Sequence, residues 1–130
     1  DMLRAVMEGV GYSLTDCQDI LRGMGIVVQE MMACGGGGRS QLWRQMLADM
    51  YNCEVKTVSS KEGPALGAAI LAGVGAGLFK SVVTACRDFI DTNTYCQPDP
   101  TAHAYYEKGH ALYQKLYRQL AGCYQDLATL

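Results

Sequence analysis

The sequence of 130 residues predicts one α/β unit that is mostly helical and contains two short strands. Three observations lead to this fold class. Apolar residues recur at three- and four-residue steps over most of the chain, which is the periodicity of helices. Residues 26–33 form a short apolar run that is partly β-branched, and residues 53–58 alternate along the chain. Both patterns are typical of strands, and a helical pattern follows each of them.

The first elements follow one another in a simple order. Residues 3–21 carry the apolar spacing of a helix, and Gly23 and Gly25 supply its stop signal. Residues 26–33 are then expected to form a mostly buried strand. Residues 41–51 place their apolar side chains on one face of a second helix, and the second strand comes directly after it.

The second half of the chain is predicted to be mainly helical. Residues 65–77 form a third helix, with Pro64 in its first turn. This helix holds several glycines, each of which costs about 1 kcal/mol relative to alanine. They predict close packing of another helix on that face, or alternatively a bound ligand. Residues 81–90 are expected to be a short helix and residues 91–100 a loop.

A long final helix is predicted from Ala102 onward, and it carries a row of tyrosines. Such a row can pack against other helices or provide a platform for stacked bases. No basic groove accompanies it, so we interpret the tyrosines as a packing surface.

Composition excludes several classes of function. The net charge of -2 gives no electrostatic reason to expect binding to nucleic acid or a membrane. Six cysteines without a C-x-x-C pair argue against a zinc site and a compact disulfide framework. They favour reduced thiols in a cytoplasmic protein. Because a helical pattern begins directly after Asp1, we expect the chain to be a piece of a longer one.

Four consecutive glycines, residues 35–38, lie between the first predicted strand and the second predicted helix. Glycine lets backbone approach a ligand closely, and a helix N-terminus offers unpaired N–H groups and the positive end of a dipole. A nucleotide is the ligand that suits such a loop, and a tight turn without a ligand is an equal alternative on the glycines alone. Ser40 is expected to cap the helix that follows.

Familiar nucleotide and catalytic motifs are not matched. Arg39 and Ser40 stand where a P-loop has lysine and serine or threonine, and the Rossmann glycine pattern is incomplete at Ser40. Asp49, Glu54 and Glu62 do not form a pattern with a His, Ser or Cys that would activate a nucleophile. We therefore expect no catalytic residue in these 130 residues.

His103 and His110 lie seven residues apart on the final helix. We expect no Cys, Asp or Glu at ligand spacing around them, so they are interpreted as surface or packing histidines. The sequence accordingly predicts no metal site.

Two strings resemble a known family. Residues 35–49, GGGGRSQLWRQMLAD, closely resemble a string of the FGGY family of carbohydrate kinases, in the form carried by its xylulose-phosphorylating members. Residues 62–72, EGPALGAAILA, resemble the second C-terminal signature of that family. The likeness extends over nearly all 130 residues. At Gly38 the family string has alanine, so a looser loop with all its donors is expected.

This resemblance implies an actin-like, ribonuclease-H-like ATPase fold of two α/β domains, with ATP, Mg²⁺ and a sugar meeting between them. It places residues 1–130 in the C-terminal portion of the second domain. Residues 1–100 would be its nucleotide-binding α/β part and residues 101–130 a packing helix. The parent protein is implied to be a cytoplasmic kinase of xylose metabolism that converts D-xylulose and ATP to D-xylulose 5-phosphate and ADP.

Two alternatives stay open beside this function. One is another kinase of the same family, acting on gluconate, ribulose or glycerol. The other is a non-catalytic module for nucleotide binding or assembly. The implied partners are a nucleotide and a sugar, with neither nucleic acid nor membrane. A homodimer is an open alternative, because two strands leave exposed sheet edges.

The resemblance also implies roles for particular residues, since it makes the glycine string the loop on the adenosine side of the nucleotide. The residues implied to contact the nucleotide are Gly36, Gly37, Gly38, Ser40 and Gln41. Gly63 and Ala65 are weaker candidates. The general base, the phosphate loop and most sugar contacts are implied to lie outside this chain, which is therefore expected to have no kinase activity alone. Magnesium would be held mainly through the nucleotide.

Overall fold

The computed structural model describes residues 1–58, 63–92 and 94–130. The helices of this part are α1 (Met2–Gly23), α2 (Gln41–Tyr51), α3 (Gly63–Gly75), α4 (Val82–Phe89) and α5 (Pro100–Ala128). The strands are β1 (Glu30–Ala33), β2 (Glu54–Thr57) and β3 (Thr94–Cys96), and a 3₁₀ turn, Gly37–Arg39, lies between β1 and α2. The five predicted helices are confirmed, with α2 at its predicted bounds. The lead-in expected around residues 59–62 lies outside the described residues.

The strands form a sheet in the order β1-β2-β3. β1 and β2 run parallel, with Ala33 opposite Thr57, and the chain between them passes through α2. β3 runs antiparallel to β2, with Cys96 opposite Val55. The prediction of a loop over residues 91–100 is therefore wrong for β3. A strand of three residues leaves little pattern in the sequence, because its backbone hydrogen bonds are made with β2, about 40 residues earlier in the chain.

The prediction of a mostly buried first strand is also wrong. Only residues 30–33 form strand, and they alternate between exposed and half-buried positions. Ile26 and Val27, which precede it, are 46% and 80% exposed. The physical reason is that β1 lies at the edge of the described sheet and pairs on one side only, with β2.

Helix α2 forms the centre of the molecule. Ala48 is fully buried, and Met46 and Met50 are nearly so. They pack in one apolar cluster with Val55 of β2 and Tyr106 of α5. Burying a methionine side chain contributes about 1.5–3 kcal/mol, so the second helix of the sequence holds the sheet, α1 and α5 together.

Asp49 fixes the start of α5 to the end of α2. Its buried carboxylate Oδ1 accepts from Gln45 Nε2 at 2.8 Å and from the backbone N–H of Asp99 at 2.9 Å. Asp99 in turn caps α5 by accepting from the backbone N–H groups of Thr101 and Ala102. The backbone oxygen of Asp49 also contacts His103 Nδ1 at 2.8 Å. This carboxylate therefore serves structure, as a buried acceptor with its partners in place.

Helices α1 and α5 pack against each other around the side chain of Tyr12. Tyr12 is buried against Tyr106, Tyr113 and the stacked ring of His110. The space that this ring occupies exists because Gly109 has no side chain, since a Cβ there would overlap the Tyr12 hydroxyl. The predicted packing role of the tyrosine row is confirmed for this half of α5.

The two histidines have acidic partners that the sequence analysis did not expect. His110 Nε2 lies 2.8 Å from Asp16 Oδ1, and His103 Nε2 lies 3.7 Å from Glu107 Oε1. The expectation of no acid at ligand spacing is therefore wrong. Asp16 is 94 residues away from His110 in sequence, whereas Glu107 is one helical turn from His103 and its spacing was overlooked. Both histidines remain packing residues, as predicted, because both rings are mostly buried.

Beyond these contacts, α5 extends into solvent. Every residue from 115 onward is exposed, including Tyr117 and Tyr124, whose rings contact each other. The tyrosine row is therefore a packing surface in its first half and uncovered in its second half. None of the described helices combines the length and the apolar character that a membrane crossing requires.

We predict that Gly109→Ala destabilises the protein although alanine favours helix. The methyl group would displace the Tyr12 ring, and such overpacking costs about 1–3 kcal/mol. Gly122→Ala is the matched control, because a Cβ at Gly122 meets nothing within 4 Å. It is expected to stabilise the same helix by up to about 1 kcal/mol. Urea unfolding measures both, and equal effects of the two substitutions would contradict this packing.

A second prediction concerns pH. Partial burial disfavours the Asp16 carboxylate, but hydrogen bonds from Gln114 and His110 outweigh it and hold the pKa of Asp16 below its usual value. The Asp16 carboxylate therefore stabilises the folded state at pH values above its unfolded pKa of about 3.9. This stabilisation is lost as the pH falls through its pKa in the folded state. We expect Asp16→Asn to lower the melting temperature at pH 7 but not at pH 2. Asp88→Asn, at an exposed position of α4, is the control.

Candidate functional site

The glycine loop leaves β1 and turns sharply into α2. Gly35 has a φ of +75°, a left-handed conformation that favours glycine, and Gly36 has helical angles of -61° and -41°. The 3₁₀ turn closes with hydrogen bonds from Arg39 N to Gly36 O and from Ser40 N to Gly37 O. These bonds occupy the backbone N–H of Ser40, which the sequence had suggested for a ligand, and that of Arg39, so the loop is already folded.

Other amides of this region remain available. The backbone N–H groups of Gly36, Gly37, Gln41 and Leu42 have no hydrogen-bond partner among the described residues. Those of Gln41 and Leu42 belong to the first turn of α2, where a helix lacks internal partners and presents the positive end of its dipole. The loop and the helix together therefore provide donors for an anionic group.

Ser40 caps α2, as predicted. Its side-chain oxygen accepts from the backbone N–H of Trp43 at 3.3 Å. Its backbone oxygen accepts from the backbone N–H of Arg44 at 3.0 Å. Gln41 follows as the first helical residue and is exposed. Its side chain makes no hydrogen bond to another described residue, so its amide group is free to contact a ligand.

The three predicted glycines differ in their surroundings. A Cβ on Gly36 would meet nothing within 4 Å, and one on Gly37 would lie 3.3 Å from the indole of Trp43. Gly38 is buried, and a Cβ there would lie 2.5 Å from the backbone oxygen of Ala33. The expectation that Gly38 loosens the loop is therefore wrong, because Gly38 packs against the end of β1. Gly36 is the open position.

An apolar cavity of about 450 Å³ lies where β1 and β2 end and α3 begins. Its walls are Met32, Cys34, Val58, Gly63, Pro64, Leu66, Gly67 and Ile90. Ligands of α/β sheets bind at the carboxyl ends of parallel strands, which is the position of this cavity. Of the two weaker contact candidates, Gly63 lines this cavity, whereas Ala65 is exposed and does not.

A second, shallower groove of about 320 Å³ lies on the α1 side of the loop. It is lined by Val6, Met7, Val10, Gly37, Ser40 and Trp43. The structure thus gathers the predicted residues around one loop, but not in one pocket. The wall residues Cys34 and Val58 were missed, although their places directly after two strands would have suggested them. Ile90 has no such signal, because only the fold brings it there.

Magnesium does not fit the donors that this chain offers at the loop. Mg²⁺ prefers carboxylate and other hard oxygen ligands. Neither the cavity nor the groove is lined by a carboxylate from the described part of the chain. The free loop groups are N–H donors, which repel a cation.

One cluster elsewhere has the composition of a metal site. Asp16, Asp19 and His110 bring their donor atoms within 4.8 Å of one another between α1 and α5. Their contacts are already accounted for, since Asp16 accepts from His110 and Gln114, and Asp19 pairs with Arg22 at 3.3 Å. This cluster docks the two helices and shares no residue with the glycine loop.

Cys34, directly before the glycine loop, carries an exposed free thiol, and no described acid or base contacts it. Burial raises the pKa of the Cys53 thiol, which lowers its thiolate fraction, and raises the pKa of Tyr51 to about 12. Both side chains belong to the core rather than to the loop. The arrangement at the loop can bind and orient a ligand, and no described acid or base is positioned beside Cys34 to transfer a proton.

The sequence matches the model of the FGGY family of carbohydrate kinases, C-terminal domain, over residues 1–76. A xylulose kinase of Staphylococcus epidermidis is 37% identical over 130 residues, which are 100% of this chain and 26% of that protein. The ligand-bound structure of xylulose kinase from Lactobacillus acidophilus has a TM-score of 0.87 at 28% identity, and the match covers 97% of this chain and 26% of that one.

Gluconate kinase from Lactobacillus acidophilus matches nearly as well, with a TM-score of 0.85, 27% identity and coverage of 97% and 25%. These neighbours confirm the predicted fold class, an actin-like ATPase fold. The chain spans about a quarter of the length of the relatives that it matches.

The glycine loop leads to a prediction about stability. Gly38→Ala is expected to cost about 1–3 kcal/mol, because the backbone of Ala33 has no room for the new methyl group. Gly36→Ala is expected to be neutral or to stabilise by up to about 1 kcal/mol, because its conformation suits alanine and its surroundings are open. Thermal unfolding distinguishes them, and a neutral Gly38→Ala would show that the loop is looser than described.

Proposed function

Because the chain belongs to the FGGY family of carbohydrate kinases, through the C-terminal domain of that family, we propose that it provides the adenosine-side binding loop of an ATP-dependent sugar kinase. The whole protein is proposed to phosphorylate D-xylulose in the cytoplasm, as a step of xylose metabolism. Residues 1–100 form its nucleotide-binding part in this proposal, and residues 101–130 a packing helix.

The observation that carries the proposal is the open backbone at Gly36 beside the free N-terminus of α2. A nucleotide needs close backbone approach, donors for its charged groups and an apolar slot for its base. Gly36 and Gly37 supply exposed backbone, and the first turn of α2 supplies donors. The apolar cavity at Cys34 and Gly63 suits the flat face of the base.

The proposed roles follow from these surroundings. Gly36, Gly37 and the first turn of α2 contact the ribose and phosphates, and the Gln41 amide contacts the base or the ribose. Ser40 acts mainly through its cap, which fixes the direction of the helix. Gly38 contributes as a packing position and not as a direct contact, because it is buried.

The chemistry of transfer is proposed to come from outside these 130 residues. Phosphoryl transfer depends on positioning and on stabilisation of developing charge, with a base that accepts the proton of the sugar hydroxyl. The loop offers donors alone, so the base, the sugar contacts and the ligands of Mg²⁺ other than the nucleotide belong to the remainder of the kinase. The chain therefore orients one substrate.

D-xylulose is the proposed sugar substrate because this chain is similar to xylulose kinases. The two xylulose kinases described above match over 100% and 97% of this chain. Gluconate is the second candidate, because the TM-scores of the two Lactobacillus structures differ by only 0.02, from 0.87 to 0.85. A non-catalytic nucleotide-binding module and a homodimer stay open, since the sugar site does not lie in this chain.

Binding is tested by titrating the ¹⁵N-labelled chain with ADP. We expect the amides of residues 35–42 to shift and Gly36→Val to weaken binding on the order of tenfold, as for the loss of one good hydrogen bond to a charged group. Because a Cβ at Gly36 meets nothing, this variant should keep its melting temperature. Gly122→Val, on the exposed end of α5, is the control. Shifts confined to other residues would refute the loop as the binding site.

Catalysis is tested in a chimaera in which this chain replaces the matching C-terminal quarter of the S. epidermidis xylulose kinase. The chimaera is expected to phosphorylate D-xylulose, and Gly36→Val to raise the Michaelis constant for ATP with little change for the sugar. The isolated chain should show no turnover. Preference of the chimaera for gluconate would leave the loop assignment intact and point to the second candidate. Unchanged ATP kinetics in Gly36→Val would favour a purely structural turn.

A further inference from the structure

A buried arginine lies directly behind the glycine loop. Arg44, the fourth residue of α2, is 7% exposed, and its Nη1 donates to the backbone oxygen of Gly38 at 2.5 Å. Its Nε is buried and has no hydrogen-bond partner. The guanidinium therefore reaches back over the N-terminus of its own helix and holds the loop from within.

This guanidinium has no acidic partner in the described part of the chain, unlike two other arginines. Arg4 pairs with Glu8 at 2.9 Å, and Arg22 pairs with Asp19 at 3.3 Å. Asp49, the other buried charge on α2, is satisfied by Gln45 and the backbone of Asp99 instead. The positive charge of Arg44 is thus buried without compensation from a described side chain.

Such a charge requires an explanation. Holding the carbonyl of Gly38 needs only a neutral donor, whereas burying an unpaired charge is costly unless an opposite charge approaches it. The free donors of Gly36, Gly37 and the first turn of α2 lie in the same loop. The guanidinium, the open amides and the helix dipole therefore all favour an anion at the same end of α2.

We propose that Arg44 is a positioning residue that fixes the glycine loop and makes it select phosphorylated nucleotides over nucleosides. This inference rests on the proposed function, that the loop binds a nucleotide. Arg44 acts through Gly38 and through its field, not by direct contact, because its side chain is buried. The phosphates of the nucleotide supply the charge that the folded chain lacks at this position.

The test compares the affinities of the ¹⁵N-labelled chain for ADP and adenosine. In Arg44→Met the dissociation constant for ADP should rise about tenfold, because both the support of Gly38 and the field of the guanidinium are lost. The constant for adenosine should change much less. Arg44→Lys keeps the charge and should restore most of the preference for ADP. Arg118→Met, at an exposed position of α5, is the control for loss of an arginine.

The side-chain Nε–H signal of Arg44 gives a second readout, identified by its absence in Arg44→Lys. It should move on addition of ADP and stay in place on addition of adenosine. A lower melting temperature in Arg44→Met with an unchanged ratio of ADP to adenosine affinity would show a structural role only and overturn the inference. An Nε–H signal that does not shift on addition of ADP would overturn the inference, even if Arg44→Met fails to fold. Absence of ADP binding by the chimaera with the S. epidermidis xylulose kinase would instead refute the proposed function, and this inference with it.

Discussion

The burial of helix α2 is the constraint on which the rest of the structure depends. Its apolar face packs on β2, α1 and α5 at once, and Ala48 has no exposed surface. Both ends of this helix are fixed by specific polar contacts. Ser40 closes its N-terminus and thereby directs the glycine loop, and Asp49 near its C-terminus holds the start of α5. Because α2 cannot turn or slide, the loop that precedes it has a defined shape.

The glycine loop combines two requirements that are met by different residues. Gly35 and Gly38 are needed for the fold, since one has a positive φ and the other packs on the backbone of Ala33. Gly36 has neither constraint, and its openness toward solvent suits a ligand. A run of four identical residues therefore contains positions that the fold requires and a position that stays open. This division is invisible in the sequence, because glycine satisfies both requirements.

Sequence reasoning succeeded where the signal was local. Residues 41–51 carry a cap and a helical apolar face, so the bounds of α2 were predicted correctly. It failed where the structure depends on contacts between segments that are distant in the sequence. β3 exists because Thr94–Cys96 pairs with β2, and Ile90 reaches the apolar cavity only through the fold. The partnership of Asp16 with His110 joins positions 94 residues apart. No periodicity within one segment reports such contacts.

The sequence by itself determined the family, the order of the five helices and the first two strands, and the glycine loop at the start of a capped helix. Periodicity, caps and glycine runs act over a few residues, so they can be read directly from the chain. The tertiary structure decided which glycine is open and which cavity lies beside the loop. It also decided that Arg44 lies buried beneath Gly38 without an acid among the described residues. These properties depend on the close approach of segments far apart in the chain, and packing alone determines them.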